Sequence, residues 1–571
     1  MLDSRFLTWF ATLAAFWLSA MGSSPVRADS AGPVRAPNGM VVSENLAASK
    51  AGADVLAAGG NAVDAAIATG LALAVTHPAA GNVGGGGFMV IRFADGTATA
   101  IDFRETAPMA AHSEMWLDEQ GEYSYAKHHN SHLSVGVPGT VAGFWKAHLL
   151  YGSQEWRRLV APAIDLAGGG FAVTERLAGR LRQLVKGRGA SYTGTVAAFS
   201  KGDGFYVAGE RIVQADLAAT LERIATAGRD GFYKGETARL LVAEMARGGG
   251  LITLDDLARY RARERRPIHG GFRGYEVISM PPPSSGGIAL VEMLNILEGY
   301  DLATMGHNSA AYIHHLAEAM RRAFRDRARL VGDVDFVDVP VHRLTSKAYA
   351  EQLRAGIDSR TAGVSLPSDV AGPGESPETT HYSVVDRDEM AVSVTYTLEN
   401  GFGSGITVPG AGFLLNNEMG DFNAAPGLTD ARGLIGTAPN LARPEQRMLS
   451  SMTPSILARD GDLVAVVGSP GGRTIINTVL QVILNVIEFD MNIQEAVDAS
   501  RVHHQWLPDA LRIEQGERIS DVTVADLETR GHSVMVRGRQ GLAHSIMIDP
   551  ETGDRCGAAD SRSAEAAALG N

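Results

Sequence analysis

The sequence predicts a mixed α+β protein, and three observations carry that reading. Apolar helical patterns stand near the N-terminus and over residues 150–330. Two pairs of short β-rich segments, around 88–103 and 379–397, each turn back on themselves. Glycine- and proline-rich stretches separate these blocks. With 571 residues the chain is long for a single core, so two domains or one unusually large layered domain both fit.

In chain order, Arg5 precedes an apolar run, Leu7 to Met21, which Ser23-Ser24-Pro25 breaks. Val26-Arg27-Ala28 then fits a small-residue cleavage site, giving a signal peptide over 1–28 and a periplasmic or secreted mature protein. An uncleaved anchor is the alternative, although the run is short for a bilayer, and no later segment is apolar enough to span one. Ala47 to Ala58 reads as a helix ended by Gly59-Gly60. Asn61 caps a second, almost wholly apolar helix from Ala62 to Val75, which His77-Pro78 stops. The glycine run Gly84 to Gly87 lacks the Lys-Ser/Thr ending of a nucleotide loop and follows a helix, so a nucleotide site is rejected. Phe88 to Phe93 and Ala98 to Phe103 form a hairpin about Asp95-Gly96, with Arg104 at its far end.

Residues 150–330 read as mostly helical, most clearly Tyr312 to Val331, where Ile313, Leu316, Met320 and Phe324 recur at helical spacing. Pro281 to Gly287 is a rigid loop before an apolar helix, Ile288 to Leu297. From Gly363 to Glu378 small and acidic residues dominate, a composition that buries little and is expected to be exposed. Thr379 to Val385 and Ala391 to Thr397 follow as strands around Asp386 to Glu389, a turn without glycine. Short strands and one more apolar helix, Ile475 to Val486, complete the chain.

The formal charge of −13 leaves no basic stripe for nucleic acid. A single cysteine, Cys556, excludes an intramolecular disulfide. The pairs His128-His129 and His503-His504 are sequence neighbours, which rarely face one ligand site, so no metal and no organic cofactor is expected.

The chemistry concentrates where the acidic segment meets Thr379. Breaking the Glu378–Thr379 bond would give Thr379 a free α-amine, with a reference pKa of about 7.7–8. That amine can act as base for the residue's own hydroxyl. Taken alone, Thr379-Thr380 is equally a good strand start, and both threonines are chemically able. Thr379 to Asp386 resembles the start of the small subunit of γ-glutamyltranspeptidases. So do Leu414 to Phe422, Leu449 to Pro454 and Gly468 to Gly472, while Gly59 to Ala66, Gly84 to Phe88, Asp102 to Glu105 and Pro281 to Gly287 resemble the large subunit. Arg501 to Trp506 fits as well, and the resemblance runs in order from about residue 38 to the C-terminus.

The resemblance implies the four-layer αββα sandwich of N-terminal-nucleophile hydrolases, cut into a large subunit, 29–378, and a small one, 379–571, which together form one intertwined unit. It implies Thr379 as nucleophile, Thr397 as its assistant, and Gly471 and Gly472 as the oxyanion hole. The substrate's α-carboxylate falls to Arg104, Ser450 and Ser451, and its α-ammonium to Glu418, Asp421 and Glu399. Implied substrates are glutathione and other γ-glutamyl compounds, with water, amino acids or dipeptides as acceptors. Glu399 stands where many members have Asn, and Arg432 stands near the tip of a lid-length stretch, 426–446, where an aromatic is common. A glutaryl (cephalosporin) acylase of the same fold and an uncut, inactive scaffold are the competing readings.

Overall fold

The computed structural model describes residues 32–202, 204–369, 379–514 and 519–571. The predicted signal peptide, Glu378 and most of the acidic segment lie outside the described residues. Strands are numbered here for the two principal sheets. Before residue 379 these are β1 (Val34–Ala36), β2 (Met40–Ser43), β3 (Gly86–Arg92), β4 (Ala98–Asp102), β5 (Arg263–Arg265), β6 (Ile268–Phe272) and β7 (Tyr275–Ser279). After it come β8 (Thr380–Val385), β9 (Ala391–Thr397), β10 (Ser455–Arg459), β11 (Asp462–Val467), β12 (His544–Ile548), β13 (Arg555–Ala559) and β14 (Ala567–Gly570). They form two seven-stranded sheets, ordered β14-β2-β8-β9-β3-β4-β5 and β1-β13-β12-β11-β10-β7-β6. Every pairing within them is antiparallel.

The strand sequences explain the layering. Side chains alternate across a strand. On β8 and β9, Tyr382, Val384, Val392, Val394 and Tyr396 join the core formed with helices α1 (Leu46–Ala57) and α2 (Ala62–Thr76). The intervening small polar residues face the other sheet: Ser383 Oγ donates to His544 O at 2.8 Å and Ser393 Oγ to Val467 O at 3.1 Å. Behind the second sheet lie α5 (Gly286–Leu297), α6 (Ala310–Leu330) and α7 (Thr474–Phe489), which share its core. The helix α3 (Trp156–Gly169) packs into the first core, and α4 (Glu175–Lys186) packs into a smaller cluster with Leu398, Phe402 and Leu414. The result is the expected αββα sandwich, of class α+β.

Most predicted helices appear within a few residues of their expected ends. Asn61 caps α2, accepting from Asp64 N while Asp64 accepts from Asn61 N. The helical reading of 150–330 missed the hairpin β6–β7, whose two-residue turn Arg273-Gly274 takes positive φ at both positions (52° and 84°). The glycine-free turn between β8 and β9 closes because Glu389 itself adopts φ 63°. Cys556 is buried on β13, and burial raises its thiol pKa. Among the described residues no helix is long and apolar enough to cross a membrane.

Candidate active site

Thr380 pairs with Tyr396 in the β8–β9 ladder, so continuing the register by one residue sets Thr379 across from Thr397. Thr397 in turn lies opposite Gly86 on β3. The glycine run there serves close approach. A Cβ on Gly84 would fall 2.2 Å from Leu414 O, and one on Gly85 2.1 Å from Thr397 O. Asn416 ties the same region down, donating to Gly84 O (2.8 Å) and Gly136 O (2.9 Å) and accepting from Glu418 N (3.0 Å). The glycine turn ahead of β3 and the backbone at Gly136 are thereby locked to the turn that carries Glu418.

Thr379, Thr397, Glu399, Arg104, Glu418, Asp421, Ser450, Ser451 and Gly472 all line one slot of about 20 Å³. Gly471 borders it from the adjoining cleft, which Thr379 also lines. Thr380 lines only that cleft, so Thr379 alone of the two threonines faces both spaces. Arg104 is fully buried just beyond β4. Its guanidinium donates to Glu418 and Asp421, and its Nε to Met448 O at 3.3 Å. Burial works against that charge, yet Glu418, Asp421 and Glu105 outweigh it and raise its pKa. Glu418 Oε1 has no hydrogen-bond partner, and burial lifts the Glu418 carboxyl well above the usual carboxylate range.

Ser450 and Ser451 are positioned by the Pro281 to Gly287 loop. Ser450 N donates to Pro283 O (3.0 Å), and Ser285 N and Oγ donate to Ser450 O (2.8 and 2.6 Å). Arg327 of α6 then reaches both segments, donating to Ser285 Oγ (2.8 Å) and Ser451 Oγ (3.1 Å). Sequence reasoning missed Arg327, whose place in a run of arginines reads as a solvated helix face. It also missed His129 and Asn417, which hold Glu399: His129 Nδ1 lies 3.1 Å from Glu399 Oε1, and Asn417 donates to Oε2. Glu399 itself sits at φ 78°, in the left-handed region that side chains rarely adopt. His128 meets Met419 O at 3.0 Å, and His503 and His504 contact Asn477 and Asp509, so these rings take up protein partners. Arg432 is exposed and paired with Asp430.

Gly471 and Gly472 have φ of 130° and 55° and lead directly into α7. A Cβ on Gly471 would fall 2.4 Å from Thr474 Oγ1. The turn thus needs residues that tolerate positive φ, and it brings both glycines, at the positive N-terminal end of α7, to the spaces that Thr379 lines. A guanidinium and two hydroxyls beside paired acids complement a zwitterion. A hydroxyl beside that slot can then attack an acyl group held in it.

Comparison with known proteins agrees with this geometry. The family model described as Gamma-glutamyltranspeptidase matches residues 48–570. The glutathione hydrolase proenzyme of Escherichia coli (strain K12) is 49% identical over 538 residues, covering 93% of this chain and 92% of its own. The Acylase ACY 1 proenzyme of Pseudomonas sp. (strain SE83) is 39% identical over 538 residues, covering 92% and 93%. The crystal structure of a cephalosporin acylase from Bacillus halodurans superposes with a TM-score of 0.83 at 28% identity, over 96% of this chain and 98% of that one. The chain belongs to the γ-glutamyltranspeptidase family.

Proposed function

We propose that this protein is a proenzyme that cuts itself before Thr379 and then hydrolyses or transfers the γ-glutamyl group of glutathione and related amides. The observation that carries the reading is the single slot in which Thr379 meets Arg104, Glu418, Asp421, Ser450 and Ser451. In the first stage Thr379 Oγ attacks the Glu378 carbonyl, the peptide nitrogen leaves, and water hydrolyses the ester. That leaves a Glu378 carboxylate and a Thr379 α-amine, with subunits 29–378 and 379–571. In the second stage the amine accepts the Oγ proton while Oγ attacks the γ-carbonyl. The N–H groups of Gly471 and Gly472 stabilise the oxyanion. The proton passes to the departing amine, and water or the amine of an amino acid or dipeptide then takes the acyl group from Thr379. Thr397 steadies the Thr379 hydroxyl in both stages, and none of these steps draws on a metal or cofactor. Export through the N-terminal segment places the mature heterodimer in the periplasm or outside the cell.

Intact-mass analysis of wild type beside Thr379→Ala tests the first stage. Two chains in the wild type, the smaller beginning at Thr379, with one chain in the variant, is the expected result; one uncut chain in both removes the α-amine and sinks the mechanism. Parallel turnover of a γ-glutamyl anilide and a glutaryl amide tests the second stage. Arg104 with Glu418 and Asp421 suits a free α-amino acid head, so the γ-glutamyl compound should be much the better substrate, and a preference for the glutaryl amide would make the acylase reading the correct one.

A further inference from the structure

The short segment Met448 to Ser451 is held by an arginine at each end. Arg104 donates from Nε to Met448 O (3.3 Å) and from Nη2 to Leu449 O (3.4 Å). Arg327 of α6 donates from Nη2 to Ser451 Oγ (3.1 Å) and from Nε to Ser285 Oγ (2.8 Å). Ser285 Oγ in turn donates to Ser450 O at 2.6 Å. Arg327, Ser285, Ser450 and Ser451 are all buried, and of these four only the two serines 450 and 451 line the acyl slot.

These contacts fix the sense of the hydrogen bonds as well as the positions of the atoms. A guanidinium has donors and no acceptor, whereas a serine hydroxyl carries one hydrogen and two lone pairs. Ser451 Oγ meets Arg327 with a lone pair, so its hydrogen is directed to some other acceptor. Ser450 Oγ likewise accepts, from Met452 N at 3.1 Å. The protein thus uses both slot hydroxyls as acceptors, which suits them to donate to an anion in the slot. Charge works in the same direction. The Arg104 guanidinium is shared between Glu418 and Asp421, with Glu105 at 3.6 Å, so three acids offset one cation there. Arg327 places a second guanidinium behind the serines, at the end of the slot remote from those acids in bonding if not in sequence.

We propose that Arg327 is a positioning residue for donor recognition. It turns the Ser450 and Ser451 hydroxyls into hydrogen donors for the α-carboxylate of the γ-glutamyl group and, acting through Ser451, favours donors that carry that carboxylate over those that lack it. It does not line the slot itself, so it works on the substrate only through the serines. The inference rests on the γ-glutamyl reading above.

The test uses L-glutamate and 4-aminobutyrate, which differ only in the α-carboxylate, as competitive inhibitors of γ-glutamyl anilide turnover by the mature enzyme. In Arg327→Gln, KM for the anilide and the inhibition constant of L-glutamate should each rise about tenfold, as loss of support for a hydrogen bond to a charged group allows. By the same reasoning kcat and the 4-aminobutyrate constant should stay within about twofold of wild type. Arg327→Lys keeps the charge but not the two-pronged geometry and should fall between the two. A double-mutant cycle with Ser451→Ala reads the route: once Ser451 is gone, Arg327→Gln should cost about threefold or less. Equal weakening of the two inhibitors, a loss confined to kcat, or full additivity in the cycle overturns the inference. If Arg327→Gln yields no mature enzyme, Arg327→Lys and Ser285→Ala decide by the same inhibitor pair: weakening selective for L-glutamate upholds the inference, and an unchanged or unselective result overturns it. Failure of mature wild type to turn over the γ-glutamyl anilide would instead overturn the γ-glutamyl reading.

Discussion

Arg104 donates to the two acids, Glu418 and Asp421, that we assign to the substrate's ammonium. Replacing it therefore does two things at once. Arg104→Gln strips the slot of its carboxylate partner and leaves two acids without their cation. Breaking such a buried pair costs about 3–5 kcal/mol, and kcat/KM for a γ-glutamyl donor should fall by about 100-fold or more. Thermal midpoints and steady-state kinetics check both, and a kcat/KM within a few-fold of wild type would remove Arg104 from substrate binding. Glu105 makes the opposite case. It is wholly buried, neither carboxyl oxygen has a hydrogen bond, and burial raises its pKa despite Arg104 at 3.6 Å. A carboxyl whose folded pKa is raised contributes its full stability below the unfolded pKa of about 4.3 and loses it as pH climbs toward the folded value. Glu105→Gln has no such proton to lose. Its thermal midpoint relative to wild type should therefore rise between pH 5 and pH 8, and an unchanging difference would show that Glu105 does not titrate in that window.

At the scale of elements, the turn from β11 into α7 is tightly constrained. With φ of 130° at Gly471 and Thr474 Oγ1 in the way of a Cβ, Gly471→Ala should lower turnover by about 100- to 1,000-fold, the usual effect of losing one oxyanion contact. Circular dichroism should show unchanged secondary structure, and near-normal turnover would place the oxyanion elsewhere. This turn was legible in the sequence through the block Gly468 to Gly472, which resembles the small subunit. The β8–β9 hairpin was legible from its β-branched runs, and α2 from its cap and apolar length. The β6–β7 hairpin was not, because its strands are short and its turn uses Arg273 at positive φ. The supports of the site were hidden for a different reason. Arg327, His129 and Asn417 act on Ser451 and Glu399, and Arg327 lies 124 positions from the serine it holds. Local periodicity carries no trace of such partners, whereas the contacting motifs themselves stood out as blocks.

Over the whole molecule, neither subunit proposed from the cut before Thr379 owns a sheet. β8, β9 and β14 interleave with β2, β3, β4 and β5 in one, and β10 to β13 interleave with β1, β6 and β7 in the other. β8 lies between β2 and β9, hydrogen-bonded on both sides. The cut chains should therefore co-elute as one particle in native gel filtration and separate only in denaturant; separation under native conditions would contradict the interleaving. That wiring also changes the order of the folding reaction. Before the cut, strands from the two halves meet at a rate set by a tether; afterwards the same pairings require two molecules to collide. Thermal or chemical unfolding of the uncut Thr379→Ala chain should then reverse independently of protein concentration, while recovery of the mature enzyme should decline on dilution. Maturation would thereby exchange a unimolecular return path for a bimolecular one, leaving the working enzyme to persist by the slowness of its unfolding.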